Sequence, residues 1–85
     1  GIKFMSIAVV WSKDDCMYCT KAKDYLKKKG INVEERNVQS GDWTMTQLQE
    51  AVPNARAFPQ IFIDGKYVGS YDKMMAHVQM GELSL

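Results

Sequence analysis

The chain is poor in the residues that staple, anchor or charge a protein. It has two cysteines, two prolines and one histidine in 85 residues. One cysteine pair cannot build the disulfide scaffold of a small secreted domain. The single histidine, His77, leaves a zinc site short of ligands, because no second cysteine pair exists. No metal is expected. Long hydrophobic runs are also missing. The longest wholly apolar stretch, Ile7 to Trp11, is far too short to cross a bilayer. Charge of one sign is lacking too. A net charge of +1 gives no basis for a nucleic-acid or membrane partner. There are no repeats, low-complexity segments or linkers, so residues 1–85 read as one domain. A chain this short buries only about 60% of the surface it exposes unfolded, so the core is expected to be small. No secretory signal pattern is visible, and a cytoplasmic location is expected. Gly1 is not a natural initiator and Met5 stands where an apolar strand begins. Residues 1–4 therefore read either as an added remnant or as natural sequence.

Against these absences, the two cysteines stand together as Cys16-Met17-Tyr18-Cys19. They follow an apolar run and precede a helical pattern. A helix N-terminus presents unpaired N–H groups and a partial positive charge. That field stabilises a thiolate, which is the nucleophile of thiol–disulfide exchange. Cys16 opens the helix. Cys19 shares an apolar face with Ala22 and Leu26. Cys16 is therefore expected to attack, and the more buried Cys19 to resolve the mixed disulfide. Lys13 and Lys21 would help the thiolate, and Asp14 and Asp15 would oppose it.

The layout reads as βαβαββα. Met5 to Trp11 is a buried strand, and a helix follows from about Cys16 to Lys29 with Gly30 as its stop. Ile31 to Val38 is polar enough for an edge strand. Thr44 and Gln47 have the spacing of a capping box, opening a helix that Pro53 ends. Phe58 to Ile63 is an apolar strand entered through Pro59. Asp64-Gly65 signals a hairpin, and Lys66 to Gly69 returns. Ser70 or Tyr71 caps a last helix that Gly81 ends. Local statistics alone make the Phe58–Pro59 bond trans, since cis forms about 5–6% of such bonds.

Three segments together resemble the glutaredoxins, within the thioredoxin superfamily. They are Trp11 to Cys19, Phe58 to Gly65, and Gly69-Ser70-Tyr71-Asp72. The resemblance implies an α/β thioredoxin-like fold, with a four-stranded mixed sheet flanked by three helices. It implies a cis Pro59 and a glutathione groove beside Cys16. Carried over residue by residue, Lys13 and Gln60 face the glycine carboxylate of glutathione. Tyr18 lines the groove. Phe58, before Pro59, pairs its backbone with the tripeptide. The Tyr71 backbone and the Asp72 side chain hold the γ-glutamyl end. The implied activity is reduction of protein disulfides and glutathione mixed disulfides, by a monomer. Glutathione is the co-substrate, and no tightly bound cofactor is expected. Clients are disulfide-bearing proteins, with ribonucleotide reductase named by family analogy.

The chain departs from the family pattern in three places. Met17 replaces the frequent proline between the cysteines. Ala57-Phe58 replaces Thr-Val, and Gly69-Ser70 with bulky Tyr71 replaces Gly-Gly. These changes bear on redox potential and groove width. They leave two alternatives. One is a redoxin fed by a thioredoxin reductase. The other is a dimeric iron–sulfur carrier ligated through Cys16 and glutathione, which would purify brown.

Overall fold

The computed structural model describes residues 6–83. The expected start of the first strand at Met5 and the reading of residues 1–4 lie outside them. The elements run β1 (Ile7–Ser12), α1 (Met17–Lys28), β2 (Asn32–Asn37), α2 (Met45–Ala51), β3 (Gln60–Ile63), β4 (Lys66–Gly69) and α3 (Tyr71–Gln79). They form one mixed sheet in the order β2-β1-β3-β4. β1 pairs parallel with β2 and antiparallel with β3, and β3 pairs antiparallel with β4. The order βαβαββα and the edge position of β2 follow the sequence reading.

Local chemistry explains most of the boundaries. The Thr44 N–H donates to Gln47 Oε1 at 2.8 Å, and the Gln47 N–H returns to Thr44 Oγ1 at 3.1 Å. This reciprocal pair starts α2. At Asp64 and Gly65, φ is 50° and 81°. Positive φ at both central residues makes a hairpin turn that matches strand twist, and glycine supplies the second at little cost. Ser70 caps α3, its Oγ accepting from the Lys73 N–H at 3.3 Å. The register of β1 then sorts side chains between the two faces of the sheet. Ala8 and Val10 pack with Ala22 and Leu26 of α1, Ile31, Ile61, Ile63, Val68 and Met74 of α3. On the other face Trp11 packs with Leu48 of α2 and Ala55. Truncating a fully buried leucine such as Leu26 costs about 2–5 kcal/mol.

The parallel register has a further effect. It pairs Val10 with Glu35 and Ser12 with Asn37. Paired residues share a face, so two polar side chains of β2 lie on the α1 side, beside the end of β1 that leads into the dithiol.

Candidate active site

The dithiol sits where β1 hands over to α1. Cys16 is the N-cap of α1, and the Cys19 N–H donates to Cys16 Sγ at 3.2 Å. Sulfur takes the place that a serine or threonine oxygen takes at other helix starts. The two cysteines form a disulfide with Cα atoms 5.2 Å apart. Cys16 is half-buried, whereas Cys19 is 2% exposed. Met17 and Tyr18 between them are largely exposed, at 60% and 46%. The chain enters this turn through Asp15, whose φ of 53° lies in the left-handed region. An L-residue pays about 1 kcal/mol there, least for aspartate and asparagine.

Two concavities flank the dithiol. One is an open recess of about 540 Å³ lined by Lys13, Asp14, Asp15, both cysteines, Lys23, Glu35 and Asn37, among others. It is stitched by side-chain bonds. The Ser12 hydroxyl donates to Glu35 Oε2 at 2.7 Å, and Lys23 Nζ reaches the same oxygen at 2.8 Å. Hydrogen bonds from Lys23 and then Ser12 hold the Glu35 carboxyl below its ordinary value, against the opposing effect of burial. Asp14 Oδ1 accepts from Asn37 Nδ2 at 3.1 Å and from Ser40 Oγ at 2.7 Å.

The other is a groove of about 80 Å³ lined by Tyr18, Phe58, Pro59, Ser70, Tyr71 and Asp72. Its walls are rings. Tyr18 and Tyr71 lie with centroids 5.7 Å apart. Lys21 Nζ lies 5.1 Å from the Tyr18 ring centre, and Lys13 Nζ lies 5.9 Å from that of Phe58. The Phe58–Pro59 bond is cis, as the family resemblance implied and local statistics did not. The N–H groups of Tyr71 and Asp72 belong to the first turn of α3, where no intrahelical acceptor exists.

Five of the expected glutathione-contacting residues, Tyr18, Phe58, Pro59, Tyr71 and Asp72, thus meet in one groove. Lys13 reaches the Phe58 ring from the recess side. Gln60 is placed differently. It is 8% exposed and pairs with Trp11. Its Nε2 donates to the Ala57 carbonyl at 3.0 Å, and its Oε1 accepts from the Tyr67 hydroxyl at 2.6 Å. Its amide is occupied inside the fold. Sequence reasoning also missed Ser12, Glu35, Asn37 and Ser40. For Glu35 and Asn37 the only sequence signal was period-two alternation in β2, and a strand polar on both faces does not say which face is which. Among the described residues no group of three or more His, Cys, Asp or Glu side chains is placed to hold a metal ion. Nor is any helix among them long and apolar enough to cross a membrane.

Comparison with known proteins agrees with this geometry. The glutaredoxin family model matches residues 8–68. Glutaredoxin 1 of Rickettsia bellii is 38% identical over 69 residues, covering 78% of this chain and 70% of that protein. The fold matches reduced Escherichia coli glutaredoxin with a TM-score of 0.74 and 26% identity, over 89% of this chain and 96% of the other. It matches a buckwheat glutaredoxin–glutathione complex with a TM-score of 0.74 and 30% identity, over 89% and 71%. With its helix-capping dithiol, its cis proline and these likenesses, the chain belongs to the glutaredoxin family of glutathione-dependent dithiol oxidoreductases.

Proposed function

We propose that Cys16 is the attacking thiol and Cys19 the resolving thiol, and that glutathione binds in the groove between Tyr18 and Asp72. The observation that carries the assignment is the capping bond. Cys16 Sγ accepts the Cys19 N–H at 3.2 Å while Cys19 itself is 2% exposed. A thiolate at Cys16 keeps this hydrogen bond and gains charge on the acceptor, so the helix start favours the ionised form. Cys19 lies under it with little access to an incoming disulfide.

The reaction balances without any further oxidant. The Cys16 thiolate attacks the glutathione sulfur of a mixed disulfide, and the client sulfur leaves as a thiolate that takes a proton. Cys16 is then disulfide-bonded to glutathione. A second glutathione thiolate attacks the bound glutathione sulfur, forming glutathione disulfide and returning Cys16. With protein disulfides, Cys19 loses its proton and attacks Cys16, releasing the client thiol and leaving the internal disulfide. Two glutathione molecules then reduce that disulfide and leave as glutathione disulfide.

Glutathione carries two carboxylates and one ammonium. The groove offers matching groups in order. Lys13 stands at one end, the Phe58 backbone before the cis bond in the middle, and the N–H groups at the start of α3 with the Asp72 carboxylate at the other. Gln60 follows Pro59, its amide bonding the Ala57 carbonyl and the Tyr67 hydroxyl. Clients are disulfide-bearing proteins, with ribonucleotide reductase one candidate by family analogy, and a monomer in the cytoplasm is the working form.

Single-cysteine variants test the assignment. Cys16→Ser should abolish turnover on every substrate. Cys19→Ser should retain turnover of glutathione mixed disulfides and lose most of the activity on protein disulfides. Equal loss in both variants on a glutathionylated peptide would overturn it.

A further inference from the structure

The sequence places Asp14 beside the attacking sulfur as an opposing charge. Its surroundings give it a different task. The Asp14 N–H donates to Gln39 Oε1 at 2.9 Å. Its Oδ1 accepts from Asn37 Nδ2 and Ser40 Oγ. Asn37 Oδ1 in turn accepts from the Gln39 N–H at 2.7 Å and the Ser40 N–H at 2.9 Å. One step further back, the Val38 N–H donates to the Ser12 carbonyl at 3.0 Å. The loop from Asn37 to Ser40 therefore holds Asp14 by its backbone and by its carboxylate. The next residue, Asp15, has the left-handed φ, and the one after it is the N-cap sulfur.

We propose that Asp14 is a positioning residue. Tied to Asn37 and Ser40, it holds Asp15 in its left-handed turn and so keeps Cys16 Sγ over the first turn of α1. This rests on the reading of Cys16 as the attacking thiol. Released from the loop, Asp15 relaxes toward ordinary φ values and the sulfur swings off the Cys19 N–H. The Cys16 thiolate then loses part of the helix-start field.

The sign of the effect separates this role from a plain charge. Deleting a nearby carboxylate alone makes a thiolate easier to form. Deleting a clamp makes it harder. The charged groups that line the recess with Cys16 are Lys13, Asp14 and Asp15 on the same turn, Lys23 on α1 and Glu35 on β2. Asn37→Ala and Ser40→Ala remove none of these groups and change no charge, and of them loosen only Asp14.

The test is the rate of alkylation of the reduced protein by iodoacetamide as a function of pH, with the modified cysteine mapped by mass. Asp14→Ala, and Asn37→Ala combined with Ser40→Ala, should move the Cys16 midpoint to higher pH. Below the midpoint the rate should fall about threefold. Asp14→Asn keeps an acceptor oxygen in the same place and should show no upward shift. A downward shift in Asp14→Ala would show a simple charge effect and overturn the proposal. So would an unchanged midpoint in the neutral pair. Should Asp14→Ala fail to fold, Ser40→Ala alone carries the same expectation. Alkylation landing first on Cys19 in the unaltered protein would instead overturn the assignment of the attacking thiol, and the clamp's role with it.

Discussion

The two concavities on either side of Cys16 are held open by different forces. The recess is stitched. Ser12 and Lys23 bind Glu35, and Asn37 and Ser40 bind Asp14, through oriented hydrogen bonds. The groove is stacked. Tyr18 and Tyr71 face each other, and Phe58 and Tyr18 each carry a lysine ammonium near the ring. Hydrogen bonds specify a single geometry and tolerate little change of partner. Ring contacts are less directional and leave room for a ligand to settle between them. The recess is thus suited to hold the sulfur still, and the groove to take in a peptide. Charge follows the same division. The Glu35 charge in the recess is matched by Lys23, whereas the Asp72 carboxylate has no ion-pair partner among the described residues.

The comparison is sharpest where a single charge can be reversed. Asp72→Lys should raise KM for a glutathionylated peptide about tenfold. Lys13→Glu should act in the same direction at the other end of the ligand. Asp72→Lys should change the rate at which iodoacetamide alkylates Cys16 by no more than a small factor. Steady-state kinetics with glutathione and its reductase would check this. An unchanged KM in Asp72→Lys would place the ligand outside the groove and favour a redoxin fed by thioredoxin reductase.

The stitched side should respond in stability instead. Glu35→Gln removes a charge-assisted bond from Lys23 and weakens the one from Ser12. The Glu35 side chain is 39% exposed, so water screens the pair, and the expected loss is under about 1 kcal/mol. Denaturant unfolding would measure it. KM for the glutathionylated peptide should stay within about twofold, because the groove is untouched. A large rise in KM here would dissolve the distinction between the two sides.

The smallest expected effect is in the acid limb. Hydrogen bonds keep the folded Glu35 carboxyl below its ordinary value. The stabilisation is therefore present above the unfolded glutamate range and is lost as pH falls through the folded value. Glu35→Gln should have a slightly shallower fall in stability on acidification than the parent. Parallel acid limbs would show that the Lys23 contact adds nothing in solution.

What could be read from the sequence was what depends on neighbours in the chain. The capping box at Thr44 and Gln47, the Asp64-Gly65 turn, the Gly30 stop and the apolar run of β1 are all local, and each stands where it was expected. The Cys16 cap belongs with them, since its partner is three residues away. Long-range side-chain bonds were not legible. Ser12 to Glu35 spans 23 residues and Ser40 to Asp14 spans 26. Those pairs depend on the β1–β2 register, which a strand polar on both faces does not announce. Gln60 shows the same limit. Alternation turned its amide toward Tyr67, a residue of the next strand. The cis bond at Pro59 was legible only by family likeness, because nothing in its immediate neighbours distinguishes it from an ordinary strand-opening proline.

The sheet ends in two unpaired margins, β2 and β4, and both discourage a second molecule from adding to them. β2 reads Asn-Val-Glu-Glu-Arg-Asn, and its two acidic side chains lie next to each other on opposite faces. An incoming copy in parallel register would set like charge against like at Glu34, Glu35 and Arg36. β4 is only four residues long and stops at Gly69, so it offers little to zip onto. The chain thereby guards its own colloidal behaviour. Its margins give a strand-seeking segment little template for fibrous growth.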